Sequence, residues 1–277
     1  MAFDTAEDTQ PVKLEPTAPK IRLTSLIGLE PKDIVLMGAV AVVVILLWQF
    51  LPPALGVSKY IIPTFTDCLA EFQRMVVSER LFHHTLSTLL VAILGFILGS
   101  LLGAGAGYAL GTSALWERVF SPYILALQIA PKVAFAPLFI MWFGYNSLPK
   151  LLVTVLIVFF PILVNVLQSM KTVDRDLINL ARVYHMSRFA IFRKIEFPTS
   201  LPNLFAGLRI GATLAVIGVT VGELVGGNTG LGFLITYGEG QANTAMVFNA
   251  IGMLTIIGIA MYIAVARIEA RVLHYLK

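Results

Sequence analysis

Six runs of apolar residues, each long enough to cross a bilayer, decide most of what this chain can become. They fall near 34–51, 85–110, 119–143, 151–170, 204–225 and 247–266. About 20 such residues in a helix span the roughly 30 Å of hydrocarbon in a membrane. Lipid offers no partner for backbone N–H and C=O groups, so segments of this length cross as helices. The expected fold is therefore an all-α polytopic membrane protein with about six transmembrane helices. Composition agrees: 57% of the residues are hydrophobic and 13% charged, and the mean hydropathy of +0.84 is too high for a soluble core.

Basic residues orient the spans. Lys13, Lys20, Arg22 and Lys32 precede the first, Arg118 follows the second, and Arg267, Arg271 and Lys277 close the chain. Lys59, Arg74, Arg80 and Lys150 lie on the other side of the count. The excess places both termini in the cytoplasm, because positive loops stay inside. Residues 1–33 read as a cytoplasmic disordered tail without a cleavable signal, and the spread of charge along loops gives no nucleic-acid surface. Cys68 is the single cysteine, so neither an internal disulfide nor a thiolate metal cluster is available.

The first span and an amphipathic helix after it are expected to occupy 34–83. Thr64 and Asp67 fit a capping box, and Phe65, Leu69, Phe72 and Val76 recur at helical spacing. That helix either lies on the outer membrane surface or packs on the bundle. Residues 84–277 would form the core domain.

Two patterns inside the spans carry more information. Gly95, Gly99, Gly103, Gly107 and Gly111 recur every fourth residue and form an inclined groove for a close helix–helix approach, within the subunit or against a second copy. In the fifth span Arg209, Thr213, Thr220 and Glu223 share one face, opposite Gly207, Gly211, Ala215, Gly218 and Gly222. Charges at membrane depth face water or a partner. The stripe thus suggests a translocation path, against the alternative that Arg209 and Glu223 reach opposite interfaces. The third span holds Pro131, Lys132 and Pro137. The prolines free backbone carbonyls, and Lys132 either meets a solute or makes a structural bond to such a carbonyl or to a carboxylate.

The remaining feature is an island of charge at 172–202, with Arg175, Arg182, Arg188, Arg193 and Lys194 between two apolar spans. Leu177, Leu180, Ala181 and Tyr184 mark one face of a short helix. Ser187 is suited to cap a second helix, which carries Phe189, Phe192 and Ile195 and which Pro198 is expected to stop. This helix–turn–helix resembles the coupling loop (here 171–202) of the permease subunits of ABC importers. Their motif reads Glu-Ala-Ala, three residues, Gly, nine residues, Ile-x-Leu-Pro. Asn179-Leu180-Ala181, His185 and Ile195-Glu196-Phe197-Pro198 keep that spacing with several residue types changed. Histidine enters the left-handed region less readily than glycine, which leaves room for a turn built differently.

The stretches 136–144 (APLFIMWFG) and 230–232 (GLG) resemble the nitrate, sulfonate and taurine branch of these permeases. The resemblance implies a type I importer fold in a bacterial inner membrane. It also implies two cytoplasmic ATPase subunits carrying ATP and magnesium, a second permease copy (a homodimer by default) and an external solute-binding protein. Asn179, Leu180, Ala181, Arg182, Val183, Tyr184, His185, Met186 and Ser187 would then form the ATPase-coupling surface. The chain has no GxxxxGK[ST] phosphate loop of its own, in keeping with a permease that is not itself an enzyme and holds no cofactor. An ion-coupled secondary transporter is the alternative, but a second-half counterpart to the broken third span is missing. His83, His84, His185 and His274 lack metal-ligand spacing, with His83 and His84 expected at the water-facing start of the second span.

Overall fold

The computed structural model describes residues 31–276, so the expected disordered tail lies outside the described residues up to position 30. Among the described residues eleven α-helices follow one another: α1 Pro31–Ala54, α2 Phe65–Val77, α3 Leu81–Gly111, α4 Ala114–Ile129, α5 Phe135–Phe143, α6 Ser147–Lys171, α7 Arg175–Val183, α8 Arg188–Ile191, α9 Phe197–Gly226, α10 Leu231–Gly240 and α11 Thr244–Val272. The chain divides into two compact units, Met1–Val43 and Val44–Lys277. Described residues of the first belong to α1.

In the second unit α6 is the central helix. The α3 glycines meet it at close range: a Cβ built on Gly99 would lie 2.9 Å from Val158 Cβ, and one on Gly107 would lie 2.8 Å from Val166 Cβ. Gly95 faces the Thr154 side chain, and Gly111 faces Met170. Glycines of α9 approach the same helix, where a Cβ on Gly218 would lie 2.8 Å from Thr154 Cα and one on Gly222 2.7 Å from Lys150 Cα. The glycine groove therefore serves packing within the subunit. Small residues let backbones approach where lipid supplies no hydrophobic drive between helices, so dispersion and shape hold the bundle.

Helix α2 has the capping box: Thr64 Oγ accepts from Asp67 N–H, and Asp67 answers to the Thr64 N–H at 3.2 Å. It packs on the bundle. Cys68 and Met75 are buried, and Asn249 of α11 donates to the Cys68 carbonyl at 2.8 Å. The buried line is thus displaced from the apolar one read from the sequence, in which Leu69 is exposed. Met75 and Leu81 share a core with α9, α10 and α11, so the compact unit begins well before residue 84.

The third span, drawn as 119–143, is broken: α4 and the Lys132–Phe143 segment form a pair bent by 73°. Pro131 cannot continue the first helix, and Ala130, ahead of it, has extended-type ψ of 137°. Pro198 does not end the second island helix. Residues Phe192–Glu196 widen into a π-helical turn, with the Phe197 N–H bonded to the Phe192 carbonyl, and the chain runs on into α9. The wider turn accommodates a residue that has no N–H to offer. Between the fifth and sixth spans lies α10, whose Leu231, Gly232, Leu234, Ile235 and Gly238 are buried.

Candidate functional site

Two constellations stand out, at opposite ends of the α6–α9 pair. The first is the island. Asp174 caps α7 by accepting from Asp176 N–H at 2.8 Å, and Ser187 caps α8 by accepting from Ala190 N–H at 3.2 Å. Between them His185 has φ of 54°. Met186 N–H donates to the Ala181 carbonyl at 3.0 Å and His185 N–H to the Arg182 carbonyl at 2.9 Å. This is a Schellman closure with histidine where glycine is usual. The left-handed turn is thus kept despite the change of residue. Its cost falls on a side chain that would rather avoid that conformation.

On α7 only Ala181 turns inward; Leu180, Val183 and Tyr184 are exposed, as is Phe189 beyond the turn. Tyr184 is 74% exposed on a helix rich in charge. At the base of the island Lys171 pairs with Glu117 at 2.6 Å, tying the end of α6 to the start of α4.

The second constellation is a buried polar centre around Glu223, which is fully buried in α9. Thr88 Oγ donates to its carboxylate at 2.9 Å, and the Gly232 N–H donates to Oε2 at 2.8 Å. The Leu231 N–H donates to Thr88 Oγ at 2.8 Å and the Gly230 N–H to His84 Nδ1 at 3.0 Å. The first three N–H groups of the α10 entry are therefore each met by a side chain from α3 or α9, groups that a helix start leaves without backbone partners. A negative charge at a helix N-terminus is also favoured by the helix dipole. Lys150 of α6, 2% exposed, donates from Nζ to the Thr229 carbonyl at 2.7 Å. Gly230 has φ of 112°, and a Cβ there would overlap the Glu223 carboxylate; one on Gly232 would lie 2.6 Å from Glu223 Cβ.

These observations revise the polar stripe. Glu223 turns into the subunit, and Arg209 pairs with Glu269 of α11 at 3.3 Å. Thr220 is half-buried and returns its hydroxyl to the Val216 carbonyl at 2.7 Å. Thr213 is exposed, with its hydroxyl on the Ile210 carbonyl. The four residues share a helical face, but Glu223 is buried against α3 and α10 while Arg209 is engaged by α11. Lys132 donates to the freed carbonyl of Gln128 at 2.5 Å, with its ammonium 5.0 Å from the centre of the Phe160 ring. His84 is half-buried and stacked on Phe233 rather than simply water-facing. Sequence reasoning missed Lys150, Thr88 and His84. Their one signal was a lysine at the edge of one apolar span and a threonine inside another.

The chain is an all-helical bundle of long apolar spans with a charged, doubly capped helical turn between two of them. Residues 95–274 match the family described as binding-protein-dependent transport system inner membrane component, and the chain belongs to it. The chain is 34% identical over 222 residues to the riboflavin transport system permease protein RibX of Chloroflexus aurantiacus, covering 80% of this chain and 83% of that one. It is 32% identical to the putative aliphatic sulfonates transport permease protein SsuC of Bacillus subtilis, covering 78% of each. It is also 32% identical to the formylaminopyrimidine transport permease protein ThiX of Halalkalibacterium halodurans, covering 83% of this chain and 92% of that one. In fold it is similar to a chain of the MetNI methionine ABC transporter in an inward-facing conformation, with a TM-score of 0.60 and 20% identity over 69% of this chain and 95% of that one.

The chain is thus the membrane permease subunit of an ABC importer, moving a small solute that an external binding protein delivers. ATP hydrolysis resides in partner subunits, and a second permease completes the pathway. It is a multi-pass protein of the bacterial inner membrane. Family membership removes the ion-coupled alternative.

Proposed function

We propose that residues 179–187 form the surface through which ATP-driven movement reaches the membrane spans, with Leu180, Val183 and Tyr184 seated on the partner ATPase. The observation that carries this reading is an apolar patch left exposed on a charged, capped helix, at the one loop where α6 and α9 are joined. Exposed aromatic and aliphatic side chains of this kind serve as anchors in protein interfaces. The neighbouring Arg182 and Arg188 supply charge around the patch. The short helix is held at both ends, by α6 through residues 172–174 and by the continuous α8–α9 rod, so a push on it is delivered to both spans.

With that loop in the cytoplasm, both termini are cytoplasmic and the Glu223 centre lies toward the outer face. We assign the second permease to another copy of this chain. The solute is placed among small organic molecules, the class that includes the cargoes named for RibX, SsuC and ThiX, with selection left to the binding protein. Thr213 and Lys132 are retained as path residues. Thr213 is exposed at mid-span, and Lys132 sits at the break in the third span beside Phe135, Phe139 and Trp142.

The test is photocross-linking of the whole complex. A benzophenone amino acid at Tyr184 should capture the ATPase subunit, while the same group at the exposed Tyr60, at the far end of the bundle, should not. Capture from Tyr60 alone would reverse the orientation and remove the docking face.

A further inference from the structure

Two opposite charges buried in a membrane subunit, away from the docking loop and from any open route, call for an explanation. Each alone would carry a desolvation penalty that only full satisfaction offsets. Glu223 and Lys150 are satisfied through a shared intermediary, the turn at 227–232. Lys150 binds the Thr229 carbonyl, and Glu223 binds the Gly232 N–H and the Thr88 hydroxyl. Thr88 and His84 of α3 bind the next two N–H groups of that turn. Ser87 adds a hydroxyl contact to Thr229 at 3.4 Å. Four helix ends from three distant stretches of the chain thus meet in one network: the start of α3, the start of α6, and the end of α9 with the start of α10 that follows it.

The packing leaves the network no slack. A side chain at Gly230 would collide with the Glu223 carboxylate and one at Gly232 with Glu223 Cβ, and Gly222, next to Glu223 in the chain, lies on the Lys150 backbone. Helices α4 and α5 contribute no hydrogen bond to it. Helix α4 has no buried residue, and the pair is bent at Pro131.

We propose that Glu223 and Lys150 are positioning residues of the transport cycle. They act through the 227–232 turn to join these ends of α3, α6, α9 and α10 into one body that moves as a unit between access states. Opening at this face then takes place around that body and not within it. Neither residue touches solute in this role.

The experiment uses the complete complex of permease and ATPase in lipid nanodiscs, with ATP hydrolysis as the readout because it requires the permease to cycle. In a Cys68→Ser background, Ser87→Cys and Thr229→Cys place two thiols where hydroxyls now touch, within reach of a disulfide. Oxidation, followed by gel shift without reductant, should leave turnover within about two-fold of the reduced sample, because bodies that do not separate lose nothing when cross-linked. A loss of about ten-fold or more that dithiothreitol reverses would overturn the proposal, since the body would then have to open.

Charge variants supply the second arm. Lys150→Met and Glu223→Gln should each lower the maximal rate about ten-fold at unchanged KM for ATP, each leaving its partner charge buried without an opposite. The double variant, with neither charge, should recover to within about three-fold of the parent. Single variants as active as the parent, or a double variant as poor as the product of the singles, would overturn the pairing. Should a single variant fail to assemble with the ATPase, the disulfide result decides.

Discussion

Gly103 of α3 and Phe159 of α6 meet backbone to backbone: a Cβ on the glycine would stand 2.6 Å from the Phe159 carbonyl oxygen. Since the obstacle is main chain, it cannot rotate away. Gly103→Ala should therefore cost about 1–3 kcal/mol in stability, and Gly103→Leu should abolish a monodisperse preparation. Gly105, two residues away, has nothing within 4 Å of its virtual Cβ, so Gly105→Ala should be neutral or stabilise by up to about 1 kcal/mol. Thermal unfolding of the purified subunit in detergent, followed by size exclusion, separates the two. Equal melting of Gly103→Ala and parent would remove the groove from the packing account.

His185 holds a left-handed turn with φ of 54°. Glycine takes that conformation without a Cβ penalty, so His185→Gly should stabilise the island locally by about 1 kcal/mol. Hydrogen exchange at the Met186 and Ala190 amides is the measurement; faster exchange would mean the histidine ring makes a contact that outweighs its backbone strain.

Leu180→Asp with Tyr184→Asp places two charges in the proposed docking face without touching a buried residue, as both side chains are exposed. The spans should fold as before, judged by the melting profile. Co-purification of the ATPase should fall by about ten-fold or more, the usual consequence of losing anchor residues at an interface. Undiminished co-purification would place the docking surface elsewhere.

Cys68 is 5% exposed in α2, and burial, aided by the charge of Asp67, pushes its thiol up to about 11. The raised value favours the neutral thiol, so little thiolate forms until the pH nears that value, and the thiolate is the reactive form. Labelling of the folded subunit by a maleimide between pH 7 and 9 should be slow, and should become fast and complete in denaturant. Rapid labelling at pH 7 would show that α2 lifts from α11.

The period and length of apolar runs carry the helices themselves. A stretch that must satisfy its own backbone in lipid has a single regular solution, and for that reason the spans could be read before any contact was known. The Thr64–Asp67 capping box and the spacing of 179–198 were equally legible, because both are local chemistry. Helix breaks were less so. Pro131 and Pro198 both disrupt a helical ladder, yet the first bends its span by 73° while the second is absorbed by a π turn. What surrounds each proline, and not the proline, decides between them. Periodicity could likewise group Arg209 and Glu223 on one face, but it could not reveal that α11 answers the first and the α10 turn the second. The polar centre at Lys150 and Glu223 exists only because residues far apart in the chain converge. Local residue types determine helix, cap and span, whereas the burial of a charge depends on which distant helix arrives to satisfy it.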